Sequence, residues 1–100
     1  MRTIITEESA ATVVKPEGRL DTIAAAEFDS QTEALRANPS KDITVDCDQL
    51  EYISSSGLRI FITMLKACKA AGKEMRLVNV SPQVKSVFDL TGLSPLFGIQ

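Results

Sequence analysis

Histidine and tryptophan are missing from this 100-residue chain, and tyrosine occurs once. Without histidine, the usual general base for a serine or cysteine nucleophile is absent. So is the imidazole that completes most mixed zinc sites. The two cysteines, Cys47 and Cys68, are separated by twenty residues and form no C-x-x-C pair. Both are expected to be buried structural thiols, with no metal bound. Positive charge is not in excess either, since 11 Lys and Arg face 13 Asp and Glu. The phosphate attraction on which nucleic-acid binders rely needs the opposite balance. Four phenylalanines and one tyrosine leave few platforms for base stacking. No apolar run approaches the ~18 residues of a membrane span. The opening "MRTIITEESA" meets Glu7 and Glu8 after two isoleucines, too short a run for a signal peptide. These absences predict a cytoplasmic protein of one domain, residues 1–100, with no cofactor. Its partner should be another protein, with neither nucleic acid nor membrane involved.

What is present is a regular alternation of strand and helix signals. "TIIT" (3–6) and "ATVVK" (11–15) are short, β-branched and separated by "EES", as two paired strands would be. Pro16 and Gly18 are expected to end the second. In the following segment Asp21 or Thr22 caps a helix, Ala24, Phe28, Gln31 or Thr32, and Leu35 form its thin apolar stripe, and Pro39 stops it. "DITVDCDQL" (42–50) alternates like a strand with one side more buried, and a helix from about 56 to 71 follows, stopped by Gly72. "EMRLVNV" (74–80) reads as a strand. Ser81 as cap, Pro82 at the first helical position and Gly92 as terminator define a third helix with Val84, Val87 and Phe88 inward. A last short strand is expected at "FGI" (97–99). The order β-β-α-β-α-β-α-β gives an α/β fold with a mixed, mostly parallel sheet, because strands joined by single helices run parallel.

One stretch stands apart. In "YISSSGLRIF" (52–61) three serines and a glycine open the second helix. The carboxyl edge of the strands, where this turn falls, is the usual functional rim of an open α/β sheet. A nucleophilic serine elbow needs glycine two positions before the serine, and Ile53 stands there before Ser55. A phosphate-binding loop needs G-x-x-x-x-G-K-[ST], which is absent. One serine as N-cap, with Gly57 permitting close packing, accounts for part of the pattern but not for three hydroxyls.

"GRLDTIAAAEF", "YISSSGLRIF" and "GKEMRLVNVSPQVKSVFDLTGL" together resemble the STAS domain, in its stand-alone bacterial form, the anti-sigma factor antagonist. The likeness extends over nearly the whole chain. It implies a protein that is not an enzyme, that binds an anti-sigma factor serine kinase to free a sigma factor, and that a serine phosphatase resets. By the same resemblance the phosphorylated serine lies two residues before the glycine, at Ser55. Ser54 stands where many relatives carry aspartate, which removes a negative neighbour. Asp21 matches a loop aspartate, and either caps the first helix or accepts a hydrogen bond from Ser55. Ser56, Gly57 and Arg59 complete the surroundings of the phosphosite. An alternative within the family is an interaction subunit of another assembly, such as a lipid-transport or stress complex, that is never phosphorylated.

The second helix has two adjoining apolar stripes. Leu58, Phe61, Ile62, Leu65 and Cys68 form one, and Ile60, Met64, Ala67 and Ala71 the other. The first is assigned to the core. Ile60 and Met64 are expected to form an exposed partner-binding strip rimmed by Arg59 and Lys66. Asp21 and Asp46 are both expected on the rim near Ser55.

Overall fold

Two antiparallel strands open the chain in the computed structural model, which describes residues 1–99. β1 (Arg2–Glu7) pairs with β2 (Ala11–Leu20), from Arg2 opposite Glu17 to Glu7 opposite Thr12. Then follow α1 (Thr22–Ala37), β3 (Asp42–Asp46), β4 (Leu50–Ile53), α2 (Ser55–Ala70), β5 (Met75–Val78) and α3 (Pro82–Leu90). The sheet order is β1-β2-β3-β5, with β4 joined to β2 beyond the point where β3 ends. All pairs except β1–β2 are parallel. The α/β class and the mixed, mostly parallel sheet are therefore as the sequence implied.

β2 does not end at Pro16 and Gly18. It pairs with β3 over residues 11–14 and with β4 from Gly18 onward, so Pro16, which lacks an N–H, falls in the stretch between the two parallel partners. Gly18, with φ +100°, allows the backbone irregularity at which the strand changes neighbours. The strand expected over 42–50 ends at Asp46, and a further strand, β4, which the sequence pattern did not suggest, takes Leu50–Ile53. Asp46 Oδ1 accepts from the Asp48 N–H (3.1 Å) and the Leu50 N–H bonds to the Cys47 carbonyl (3.1 Å), closing a turn between β3 and β4. The expected strand at 97–99 is not formed. Residues 93–99 wind through turns instead, with Ile99 N–H on the Ser94 carbonyl (2.9 Å).

The strands bury one parity, Thr12, Val14 and Pro16 in β2 and Ile43 and Val45 in β3. The other parity, including Lys15, Glu17, Thr44 and Asp46, is half-exposed, the pattern of a sheet covered on one side. Phe61 of α2 is the hub of the covering layer. Its ring centroid lies 5.9 Å from Phe28 of α1, 6.2 Å from Phe88 of α3 and 6.4 Å from Phe97. Such tilted and edge-on pairs add to the burial energy of each ring. Both cysteines are free and fully buried. Burial, with a smaller contribution from the Asp46 charge, pushes the Cys47 thiol up to about 12, so it is inert as a nucleophile. Among the described residues no helix is long and apolar enough to cross a membrane.

Candidate functional site

The three serines divide their labour by position. Ser54, only 8% exposed, is the N-cap of α2, and its hydroxyl accepts from the Gly57 N–H at 3.2 Å. Its own N–H is held by the Leu20 carbonyl (2.8 Å), and its carbonyl takes the Leu58 N–H (2.9 Å). The cap is thereby pinned to the end of β2 from one side and to the helix from the other. Ser55 comes next, at the first helical position, with its side chain exposed. Ser56 is half-buried against the cleft between α1 and α2. Capping explains one hydroxyl, and the exposed one is Ser55.

The cap makes a stability prediction. Ser54→Ala should cost about 1 kcal/mol, the usual loss for a serine cap. Ser55→Ala should stay within about 0.5 kcal/mol, since this is a surface change. Denaturant midpoints of the two variants check the order, and a reversed order would move the cap by one residue.

Gly57 is required by a close approach. A Cβ there would come within 2.8 and 2.9 Å of Leu20 Cγ and Cδ2 and 3.0 Å of Ile53 Cγ1, all belonging to buried side chains. Gly57→Ala sets overpacking of about 1–3 kcal/mol against a gain of about 1 kcal/mol in helix propensity. The Leu20 Cγ is a branch atom with no room to withdraw, so a net loss of stability is expected in a urea melt. A stabilised variant would show that the α2 end can lift from the strands.

Asp21 caps α1, its Oδ1 accepting from the Ala24 N–H at 2.8 Å. Of its two expected roles this one is observed, and no hydrogen bond joins Asp21 to Ser55 among the described residues. Asp46 is not on this rim. The β2 register places it beside Lys15, whereas Ile53 pairs with Leu20. That separates Asp46 from Ser54 by about six residues, roughly 20 Å along the strands. The Asp46 carboxyl instead accepts from Asn79 Nδ2 (3.1 Å), which, ahead of the opposing effect of burial, holds its pKa below the ordinary aspartate value.

On α2, Ser55, Arg59, Ile62 and Lys66 follow at spacings of 4, 7 and 11, which brings them onto one face. Arg59 and Lys66 are exposed and Ile62 is half-buried. The expected strip of Ile60 and Met64 is different. Met64 is 0% exposed and belongs to the core, and Ile60, 8% exposed, lies in the α1–α2 cleft with Ala25 and Arg59. The reason is that α1 packs over that side of α2 and covers Ile60 and Met64, while Ile62, at the margin of the first stripe, stays half-exposed.

The exposed apolar groups near the serine turn are others. Ile23, in the first turn of α1, is 87% exposed, and Tyr52 of β4 stands 38% exposed with the Arg19 guanidinium 4.4 Å from its ring centroid. The sequence held a signal for Ile23, an isoleucine outside the Ala24, Phe28 and Leu35 stripe. It held none for the Arg19–Tyr52 pair, which depends on the register of β2 and β4. Two free helix donors, the Ser55 and Ser56 N–H groups, have no backbone partner among the described residues, and the first turn of α2 contains no acid. An anion on the Ser55 hydroxyl would sit beside donors and the positive end of the helix dipole.

Comparison with known proteins identifies the family and the fold. The STAS domain model matches residues 2–100. The anti-sigma-B factor antagonist of Staphylococcus aureus is 31% identical over 86 residues, which cover 86% of this chain and 80% of that protein. Among solved structures, the anti-sigma factor antagonist SpoIIAA in its unphosphorylated form has a TM-score of 0.81 at 22% identity, over 94% of this chain and 84% of that one. The Bacillus cell fate determinant SpoIIAA in its phosphorylated form has a TM-score of 0.75 at 21% identity, over 94% and 86%. These two likenesses concern the fold.

Proposed function

We propose that this chain, which belongs to the STAS domain family, is an anti-sigma factor antagonist controlled by phosphorylation of Ser55. In its unmodified form it captures a serine-kinase anti-sigma factor in the cytoplasm, and a sigma factor is released. The kinase transfers phosphate to Ser55 and capture is lost. A serine phosphatase restores the free hydroxyl. The protein acts by binding and not as an enzyme.

The observation that carries this reading is the contrast within the serine turn. Ser55 is exposed at the helix mouth, while the Ser54 hydroxyl is buried and engaged by the Gly57 N–H. A kinase needs a hydroxyl it can reach. The name of the Staphylococcus aureus relative, at 31% identity, supports the antagonist role. The partner surface is assigned to the α2 face bearing Ser55, Arg59, Ile62 and Lys66, with Ile23 and Tyr52 as its apolar contacts. Arg59 and Lys66, both exposed, are proposed as its rim, and Ile23 takes the place of Ile60 and Met64.

The test is incubation with a candidate kinase anti-sigma factor and ATP, read by intact mass and fragment-ion spectrometry. One phosphate on Ser55 is expected. Phosphate on Ser54 or Ser56 would displace the assignment. Stable binding without any phosphate transfer would favour a constitutive interaction subunit.

A further inference from the structure

β5 is the last strand of the sheet, and its outer edge is unpaired among the described residues. The carbonyls of Glu74 and Val78 turn toward β3, accepting from Ile43 and Cys47 at 2.9 Å each. Backbone groups alternate in direction along a strand, so the N–H and C=O of Met75 and Leu77 point to the free edge. An unpaired edge of this kind is a template for another extended segment. Beside it runs a groove of about 650 Å³, whose apolar wall includes Leu65, Met75, Leu77 and Phe97.

The charge at this edge is opposite to that of the rest of the chain. Residues 55–76 contain five cationic side chains and one acid, in a chain of net charge −2. Three of the five, Lys69, Lys73 and Arg76, line the groove, and the one acid, Glu74, is in an exposed ion pair with Arg76. An exposed pair of this type contributes little and exchanges partners readily. A second copy of β5 is a poor occupant, since it would bring Lys73 and Arg76 against their own kind.

We propose that the β5 edge binds an acidic, extended segment of a partner protein by strand addition. The bound segment pairs its backbone with Met75 and Leu77. Its residues of one parity are apolar and enter the groove against Leu65 and Phe97, and those of the other parity are carboxylates that meet Arg76 and Lys73. This edge is remote from the serine turn, at the far end of α2. Capture at Ser55 does not depend on it.

The probe is a fluorescein-labelled, end-blocked heptapeptide of alternating valine and glutamate, with a valine–lysine counterpart as control. In anisotropy titrations the glutamate peptide is expected to bind at least tenfold more tightly than the lysine peptide. Amide exchange at Met75 and Leu77 should slow on binding. The double variant Lys73→Glu/Arg76→Glu should reverse the preference, and Arg76→Gln alone, should the double variant fold poorly, should weaken binding at least threefold. Equal binding of both peptides, no binding of the glutamate peptide, or protection confined to residues 52–62 would overturn the proposal. So would a concentration-dependent dimer that protects Met75 and Leu77 without peptide.

Discussion

Met64→Lys is expected to destabilise the fold by at least about 4 kcal/mol, enough to unfold much of the population of a domain of ordinary stability. Met64 is fully buried in the layer between helices and sheet. A lysine there loses the apolar contacts of the thioether and places an ammonium in a core whose buried polar residues among those described, Thr12, Thr32, Ser54 and Ser94, include no carboxylate. Urea melts followed by circular dichroism measure the effect. Ile23→Gln is the companion variant, because Ile23 is 87% exposed and its replacement should leave the melt within about 0.5 kcal/mol. Capture of the anti-sigma factor should nevertheless weaken at least about tenfold, close to 1.4 kcal/mol, if Ile23 is an apolar contact of that interface. A stable Met64→Lys protein that no longer captures its partner would mean that the face buried here turns outward on binding. An unchanged affinity in Ile23→Gln would remove α1 from the interface.

Phosphorylation of Ser55 is expected to lower affinity for the anti-sigma factor by about 2–5 kcal/mol, through a charge of about −1.5 to −2 that the interface must desolvate or neutralise. In dissociation constant this is a loss of roughly thirtyfold to several thousandfold. The site's own groups decide how much of the charge is met before a partner arrives. Asp46, about six residues short of Ser54 along the strands, is too distant to contribute appreciable repulsion. Asp21 does lie at the neighbouring helix mouth, but its carboxylate is engaged by the Ala24 N–H. Arg59 is one turn along the same face, and the Ser55 and Ser56 amides are free. The phosphate therefore finds attractive groups within the domain, and the fold should tolerate it. What is lost is the partner's fit over a hydroxyl now replaced by a hydrated dianion. Titration of both forms with the anti-sigma factor measures the difference, and amide chemical shifts report where the domain responds. Changes confined to residues 50–62 are the expected result. A response reaching β5 or α3 would make the switch allosteric. Ser55→Asp, with one charge on a shorter arm, should produce only part of the loss.

The serine turn was legible because its chemistry is local. Caps, glycine stops and the spacing of Val84 and Phe88 act within four residues, so α1, α2 and α3 begin and end within one or two residues of where their sequences place them. The division of β3 from β4 is local too, but it rests on two turn hydrogen bonds, from the Asp48 N–H to Asp46 Oδ1 and from the Leu50 N–H to the Cys47 carbonyl, which a pattern of alternating residues does not display. Pro16 misleads for a different reason. A proline interrupts a strand only where its N–H is needed, and the need depends on which strand lies alongside.

By itself, then, the sequence determined the three helices and their ends, the α/β class and the family, because each is encoded by residues close together or by motifs in fixed succession. It did not determine the separate strand β4 or the turns at 93–99. Only the tertiary structure decided what covers each apolar stripe of α2. Leu58, Ile60, Phe61 and Met64 have the same affinity for an apolar neighbour wherever they stand, and periodicity reports that two faces are hydrophobic without saying what will cover them. The placement of α1 against the second stripe covers Ile60 and Met64, leaving Ile23 and Tyr52 as the apolar groups near Ser55. That placement depends on the Phe28–Phe61 contact and on the approach of Gly57 to Leu20 and Ile53, interactions between residues far apart in the chain.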